Sequence, residues 1–326
     1  MKFGKKTAKL ARTYRVDQGK SFRLKDFDPA DTANGLDSKQ NCEAVLKHNI
    51  ADLAELQDKL YAQDQWALLL IFQAMDAAGK DGVIKHVFSG INPQGCEVSS
   101  FKQPSTEELD HDFLWRATKR LPARGHIGIF NRSYYEEVLV VRVHQEFLVK
   151  QHLPPKLISK NIWAERFEDI RGLESFLTRN GIVVRKFFLH VSKEEQCRRF
   201  LKRLDEPEKN WKFSEADVRE RQHWDEYMTA YEEMIRHTAT PEAPWYVVPA
   251  DHKWFMHLVV SSTIIETLKQ LRLSYPTLDR ARQKELEAAR AGLEKTKKSG
   301  AGMGRSVALD LSCTADFGPR DSFRRF

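Results

Sequence analysis

Residues 66–72, WALLLIF, form a continuous apolar run followed almost at once by AMDAAGKDG at 74–82, and this junction limits the available folds more than any other segment. Seven apolar residues are too few for an independently packed helix and suit a parallel strand buried on both faces. Small residues, a glycine and a lysine directly after such a strand build a cradle. Backbone N–H groups, a helix N-terminus and the lysine side chain all favour negative charge there. The junction predicts a phosphate-binding loop between a central strand and a helix.

The remaining pattern fits that start. Leu46, Ile50, Leu53, Leu56 and Leu60 recur at helical spacing before the first strand, and further strands read at 97–101, 127–130, 182–191 and 245–248. Helices read at 109–121, 162–177, 216–235 and 258–271. Strands alternating with helices predict an α/β domain with a parallel sheet of five strands covered on both faces, and ligands in such sheets bind at the carboxyl ends of the strands. Residues 1–40 read as an arm without sustained period, 41–275 as the P-loop domain, and 276–326 as a flexible charged tail. A helical lid is expected over 198–223, its mobile part at DEPEKNWKF, 205–213.

Composition removes several classes. No apolar run approaches the length of a membrane span, the mean hydropathy is -0.56, and the basic start lacks the apolar stretch of a secretory signal, so a cytoplasmic protein is expected. Cys42, Cys96, Cys197 and Cys313 show no paired spacing, which argues against a zinc site or a disulfide framework. The formal charge of +7 suits a polyanionic partner.

The loop departs from the standard phosphate-binding pattern at two places. Ala74 stands where the first glycine is usual, and Asp81 where a magnesium-binding hydroxyl is usual. Asp76 is the informative oddity, because a carboxylate inside a phosphate cradle repels its ligand unless a divalent cation lies between them. Asp76 is therefore a candidate metal ligand or acceptor-orienting group, and Ala77, Ala78, Gly79, Lys80 and Asp81 are the candidate phosphate contacts.

A second constellation, IGIFNRSYYEE at 127–137, ends a strand in polar groups. Asn131 takes the place of the Walker B carboxylate, Glu136 and Glu137 could restore its charge, and Arg132 would clamp phosphates. A third, QCRRFLKR at 196–203, sets Arg199 and Arg203 on one helix face, suited to closing over a transferring group.

Together these stretches resemble the family-2 polyphosphate kinases, P-loop proteins related in fold to thymidylate kinase. The matching segments are FQAMDAAGKDG (72–82), INPQG (91–95), FLWR (113–116), LPARGHIGIFNRSYYEEVLVVRVH (121–144) and the region 196–227, within a likeness covering roughly 41–272. The resemblance implies a three-layer sandwich with a helical lid. It also implies reversible magnesium-dependent phosphoryl transfer between inorganic polyphosphate and nucleotides, manganese being an alternative metal. By motif position it makes Asp76, Lys80 and Arg132 catalytic, sets Arg199 and Arg203 in the lid, and places Lys85 along the phosphate channel. Many family members carry FDRSWYNR where this chain has FNRSYYEE. The latter resembles the subgroup acting on both AMP and ADP, which assigns Glu137 with Asp76 to metal and Glu136 to the acceptor side. Implied partners are polyphosphate and adenine nucleotides, with guanine as a second base, but neither nucleic acid nor membrane; a homodimer or homotetramer is implied as well.

Two other readings share these features. An ATP-dependent nucleoside monophosphate kinase has the same fold, loop and lid but would not use polyphosphate, and Asp76 with Asp81 counts against it. A non-catalytic polyanion binder would gain nothing from the acidic residues set among the basic ones.

Overall fold

The apolar run becomes strand β2 (Ala67–Gln73), buried at every position and flanked by strands on both sides in a computed structural model that describes residues 2–33 and 39–300. The strands are β1 (Arg15–Val16), β2, β3 (Cys96–Ser100), β4 (Ile127–Asn131), β5 (Ile182–His190) and β6 (Trp245–Pro249), in the sheet order β1-β6-β5-β2-β4-β3. The five from β2 to β6 pair in parallel, as their alternation with helices predicts. The sixth, β1, pairs antiparallel to β6 at the edge, with Arg15 opposite Tyr246. The sheet is thus six-stranded and mixed rather than five-stranded and parallel. A two-residue strand has no period to detect, and the Val247 amide donating to the Tyr14 carbonyl at 2.9 Å fixes it in place.

The longer helices are α1 (Lys2–Thr13), α2 (Lys39–Gln63), α3 (Lys80–Val87), α8 (Ile162–Arg179), α9 (Lys193–Asp205), α10 (Glu215–Glu220), α11 (Trp224–Thr238), α12 (Lys253–Gln270) and α13 (Arg280–Gly300). Four single turns, α4 (Thr106–Leu109), α5 (Trp115–Thr118), α6 (Val140–Val143) and α7 (Glu146–Val149), lie between α3 and α8. The helix expected over 109–121 is therefore two turns. Ser105 and Glu108 close a reciprocal capping box on the first, and the Asp112 carboxylate takes the Leu114 amide before the second. The helix expected over 216–235 is split by a turn at Arg221–His223. The chain divides into two compact units, Met1–Tyr275 and Pro276–Phe326; in the second, α13 is a solvent-exposed helix carrying local pairs such as Arg290–Glu294. No helix among the described residues is long and apolar enough to cross a membrane.

Successive residues of a strand point to opposite faces, so β5 shows what covers each side of the sheet. Arg185 reaches Thr267 of α12, and Lys186 reaches Glu174 of α8 and the Thr238 carbonyl of α11. Lys186 is fully buried, its ammonium 2.6 Å from Glu174, and Glu174 also accepts from Tyr134 at 2.9 Å and Tyr135 at 2.7 Å. This network anchors the segment directly after β4. Removing one member of a buried, fully bonded ion pair leaves the other charge stranded, so Lys186→Met is expected to cost about 3–5 kcal/mol. Urea denaturation checks this, and adding Glu174→Leu to Lys186→Met should recover part of the loss.

Candidate active site

The register of the sheet builds the site. Phe72 of β2 lies level with Asn131 of β4 and Phe187 of β5, so the loop after β2 emerges beside the end of β4. The loop turns through two residues in left-handed conformation, Ala77 (φ 61°) and Gly79 (φ 114°). At Gly79 a side chain would also press on Met256, whose methyl lies 3.2 Å from the place a Cβ would take.

Side chains take hold of the loop carbonyls. Lys80 Nζ donates to Ala74 O at 2.7 Å, Gln196 Nε2 to Asp76 O at 2.9 Å, and Arg199 Nη1 to Ala77 O and Ala78 O at 3.0 and 2.6 Å. The amides opening α3 have no acceptor within the helix and are the natural anion contacts. Lys80 is buried, and its pKa is lowered to about 8, chiefly by desolvation and then by Arg132; Asp76, Glu136 and Asp81 oppose the shift.

Arg132 faces this loop. Its own backbone is left-handed (φ 63°) and its amide bonds Phe72 O at 3.0 Å. A non-glycine residue held there costs on the order of 1–2 kcal/mol, a strain placed where the guanidinium must be aimed. Arg132 Nη2 meets Asp76 Oδ1 at 2.7 Å, and Nη1 lies 3.6 Å from Glu136 Oε2. Glu136 also accepts from Gln73 Nε2 at 3.0 Å. Glu136 first, and then Asp76 against the cost of burial, raise the Arg132 pKa, so the guanidinium is permanently charged.

Asn131 donates to Asp81 Oδ1 at 2.7 Å and so holds the acidic residue that stands in the hydroxyl's place. Glu137 is turned elsewhere. It is buried, accepts from Arg166 Nε at 3.1 Å and Gln151 Nε2 at 2.7 Å, and burial raises its pKa although Arg166 and Gln151 oppose this.

Arg199 and Arg203 stand on one face of α9 but differ in surroundings. Arg199 is buried and spends its guanidinium on Glu195, the two loop carbonyls, Ala250 O at 2.6 Å and Asp251 O at 3.1 Å. It pins the loop, and it also lines the cavity there. Arg203 lies 3.4 Å from Asp217, joining α9 to α10. Lys85 is exposed on α3 and does not line the cavity at the loop; the neighbouring His86 does.

That cavity, of about 850 Å³, gathers Lys80, Lys102, Arg132, Arg199, Lys202, Arg203, Lys209 and Lys253 against only Asp76 and Asp81. A smaller cavity of about 250 Å³ has aromatic walls, Phe101, Phe113, Tyr134 and Phe147, with Glu136, Glu137 and Arg116 among them. The two share Phe101, Lys102, Gln103 and Arg132. Lys102 and Lys253 escape a reading of the sequence because each comes from a separate segment with no motif of its own; Gln196, Lys202 and Lys209 sit within segments already marked, the first two for their arginines and the third as part of the lid.

A hard divalent cation fits this wall. Asp76 and Asp81 each engage a protein donor through Oδ1, and the second oxygen of each is the kind of ligand that such ions take from one or two carboxylates plus substrate phosphates. Among the described residues no cluster of three or more His, Cys, Asp or Glu is arranged to cage a metal by itself.

The model of the polyphosphate kinase 2 family matches residues 36–275. An ADP-polyphosphate phosphotransferase of Rhodopseudomonas palustris is 53% identical over 283 residues, 86% of this chain and 98% of that protein. An AMP/ADP-polyphosphate phosphotransferase of Meiothermus ruber is 44% identical over 271 residues, covering 83% and 97%. Among solved structures, polyphosphate kinase 2 from Arthrobacter aurescens superposes with a TM-score of 0.78 at 40% identity, covering 86% of this chain and 96% of that one. With its loop, its sheet and nearly the whole length of these relatives accounted for, the chain belongs to the polyphosphate kinase 2 family.

Proposed function

We propose that the protein transfers phosphoryl groups reversibly between inorganic polyphosphate and nucleotides, with the polymer in the large basic cavity and the nucleotide in the small aromatic one. The observation that carries this reading is their common wall. A polyanion-sized basic cavity and a base-sized apolar one meet at Arg132, where a group passing from one ligand to the other must cross.

A terminal phosphate oxygen of the nucleotide attacks the end phosphorus of the chain. One P–O bond forms, the phosphoanhydride bond breaks, and the polymer leaves one unit shorter. The protein does little covalent work in such a transfer, and its contribution is position and charge. Arg132 and Lys80 neutralise the equatorial oxygens, the loop amides orient the donor, and Glu136 fixes Arg132 on the acceptor side. Asp76 and Asp81 are the residues that would hold magnesium, which when bound supplies charge neutralisation between phosphates. Glu137, bonded to Arg166 and Gln151, is assigned to shaping the nucleotide cavity in preference to metal.

Both AMP and ADP are assigned as acceptors, on the Glu136 and Glu137 pair and on the likeness to the Meiothermus protein named for both. Incubation with magnesium, long-chain polyphosphate and AMP, ADP or GDP singly tests this: ADP and then ATP should form from AMP. Product from ADP but none from AMP would remove the dual-acceptor assignment. Assembly as a homodimer or homotetramer belongs to the same reading and is checked by light scattering.

The lowered pKa of Lys80 adds a pH dependence. The charged amine binds phosphate, and raising pH through about 8 removes that charge from the free protein. Since kcat/KM reports ionisations of the free enzyme, kcat/KM for polyphosphate is expected to fall above pH 8, and Lys80→Arg should move that limb out of range. A flat profile to pH 10 would contradict the assignment.

A further inference from the structure

Two consecutive residues after the basic segment of α9 reach toward both cavities from behind. Glu220 ends α10, and its Oε2 accepts from the Tyr227 hydroxyl at 2.8 Å and lies 2.9 Å from His144 Nε2. Arg221 opens the next turn, and its Nη1 donates to Gln196 Oε1 at 2.6 Å and to the Lys193 carbonyl at 3.0 Å. Gln196 is 1% exposed, and its Nε2 donates to Asp76 O at 2.9 Å. A buried carboxamide bonded at both ends cannot turn without leaving a polar atom unpaired. A shift of Arg221 is therefore carried to the phosphate loop.

His144 stands behind the wall of the other cavity. It joins α6 to α7, its carbonyl accepts from the Phe147 amide at 3.0 Å, and its ring lies 5.7 Å from that of Phe147. Phe147, Lys150 and Gln151 line the small cavity from this side. The imidazole is held on its remaining sides as well, by Tyr227 at 6.4 Å, by His223 edge-on at 4.9 Å, and by Glu146 Oε1, 3.5 Å from Nδ1. A ring enclosed in this way passes on a displacement of α7, since close-packed neighbours leave no slack to absorb it.

We propose that Glu220 and Arg221 form a crossbar between the two cavities, with His144 as the positioning residue at its nucleotide end, so that a nucleotide seated against α7 sets the phosphate loop for the polymer. This rests on the reading of the small cavity as the nucleotide's site and of the large one as the polymer's. A base packed on Phe147 fixes α7 and with it His144. His144 holds Glu220, the adjoining Arg221 holds Gln196, and Gln196 holds the Asp76 carbonyl. Asp217 lies four residues before Arg221 and so on the same side of α10, where it meets Arg203 of the large cavity at 3.4 Å. The wall of the polymer's cavity is thus tied to the crossbar a second time. His144, Gln196, Glu220 and Arg221 line neither cavity, which makes their part alignment in place of substrate contact. Coupling between two sites needs one element that both ligands bias, and the crossbar is such an element.

Initial rates over a grid of ADP and long-chain polyphosphate concentrations, with magnesium present, read this coupling. In the wild type the KM for polyphosphate should fall about fivefold between low and saturating ADP, the lower end of the usual range for two coupled sites. His144→Phe keeps a ring and removes the nitrogen that meets Glu220; Arg221→Met keeps a stem and removes the guanidinium. Each should hold the polyphosphate KM near its low-ADP value at every ADP concentration. His144→Gln, whose amide nitrogen takes the place of Nε2, should restore most of the fall. A merely structural role would lower Tm or kcat and leave the ADP dependence intact. Arg221 is only half-buried, so its variant reads the coupling even where His144→Phe folds poorly. A wild-type polyphosphate KM that does not vary with ADP, or a full fivefold fall in Arg221→Met, would overturn the crossbar. No product from polyphosphate in the wild type at any ADP concentration would instead overturn the functional reading beneath it.

Discussion

Asp76→Asn is expected to leave a folded protein whose phosphoryl transfer is reduced about 100- to 1,000-fold, the usual cost of removing one preorganised charge from such a site. Asparagine has the same shape and still accepts the hydrogen bond that Arg132 Nη2 donates to Asp76 Oδ1 at 2.7 Å. It removes only the negative charge. Because the aspartate side chain is 30% exposed and Arg132 37%, solvent screens the pair and stability should change by less than about 1 kcal/mol. The loss should therefore appear in kcat with the melting temperature almost unmoved. Activity above about a tenth of wild type would contradict the role given to Asp76.

The second large effect is structural. Arg199→Met should lower stability by about 3–5 kcal/mol, the range for breaking a buried charge pair, because it removes one of the two arginines bonded to Glu195 and leaves four carbonyls without the guanidinium that holds them. At roughly 2–4 °C per kcal/mol this is a drop of about 6–20 °C in Tm. Burial works against ionisation of Glu195, yet bonds from Arg199 and Arg198 outweigh it and keep its pKa below the usual value. Arg199→Lys restores charge but lacks the planar fork and should lose nearly as much. Arg203, paired with Asp217 at 3.4 Å nearer the surface, should behave otherwise: Arg203→Ala is expected to raise the KM for polyphosphate and flatten its salt dependence with little change in Tm. An Arg199→Lys protein with wild-type Tm and kcat but a raised polyphosphate KM would return Arg199 to the phosphate-contact role.

That contrast also marks how far the sequence could be read. β2 and its loop were legible because a strand buried on both faces leaves an unbroken apolar run, and the loop's chemistry lies in consecutive residues. The helical spacing of Arg199 and Arg203 was legible too, yet spacing is blind to depth: four residues along α9 separate a buried hub from a half-buried pair with α10. The same holds for Glu136 and Glu137, adjacent in sequence, where one faces Arg132 and the other Arg166. The edge strand β1 and the turns at 106–118 were missed because capping and one cross-strand bond, not periodicity, decide them. Lys186 was passed over within an apolar strand, since its partners come from α8, α11 and the segment after β4.

The central claim is that the cavity at the loop accepts polyphosphate as phosphoryl donor and the one beyond Arg132 accepts the nucleotide. It is tested most directly by supplying purified protein with magnesium, ADP and long-chain polyphosphate, no ATP, and following ATP by luminescence while the polymer is sized on a gel. The account predicts ATP formation with matching shortening of the chain, both lost in Asp76→Asn. No ATP from polyphosphate, together with turnover of AMP when ATP is the donor, would contradict it and identify the large cavity as a site for ATP.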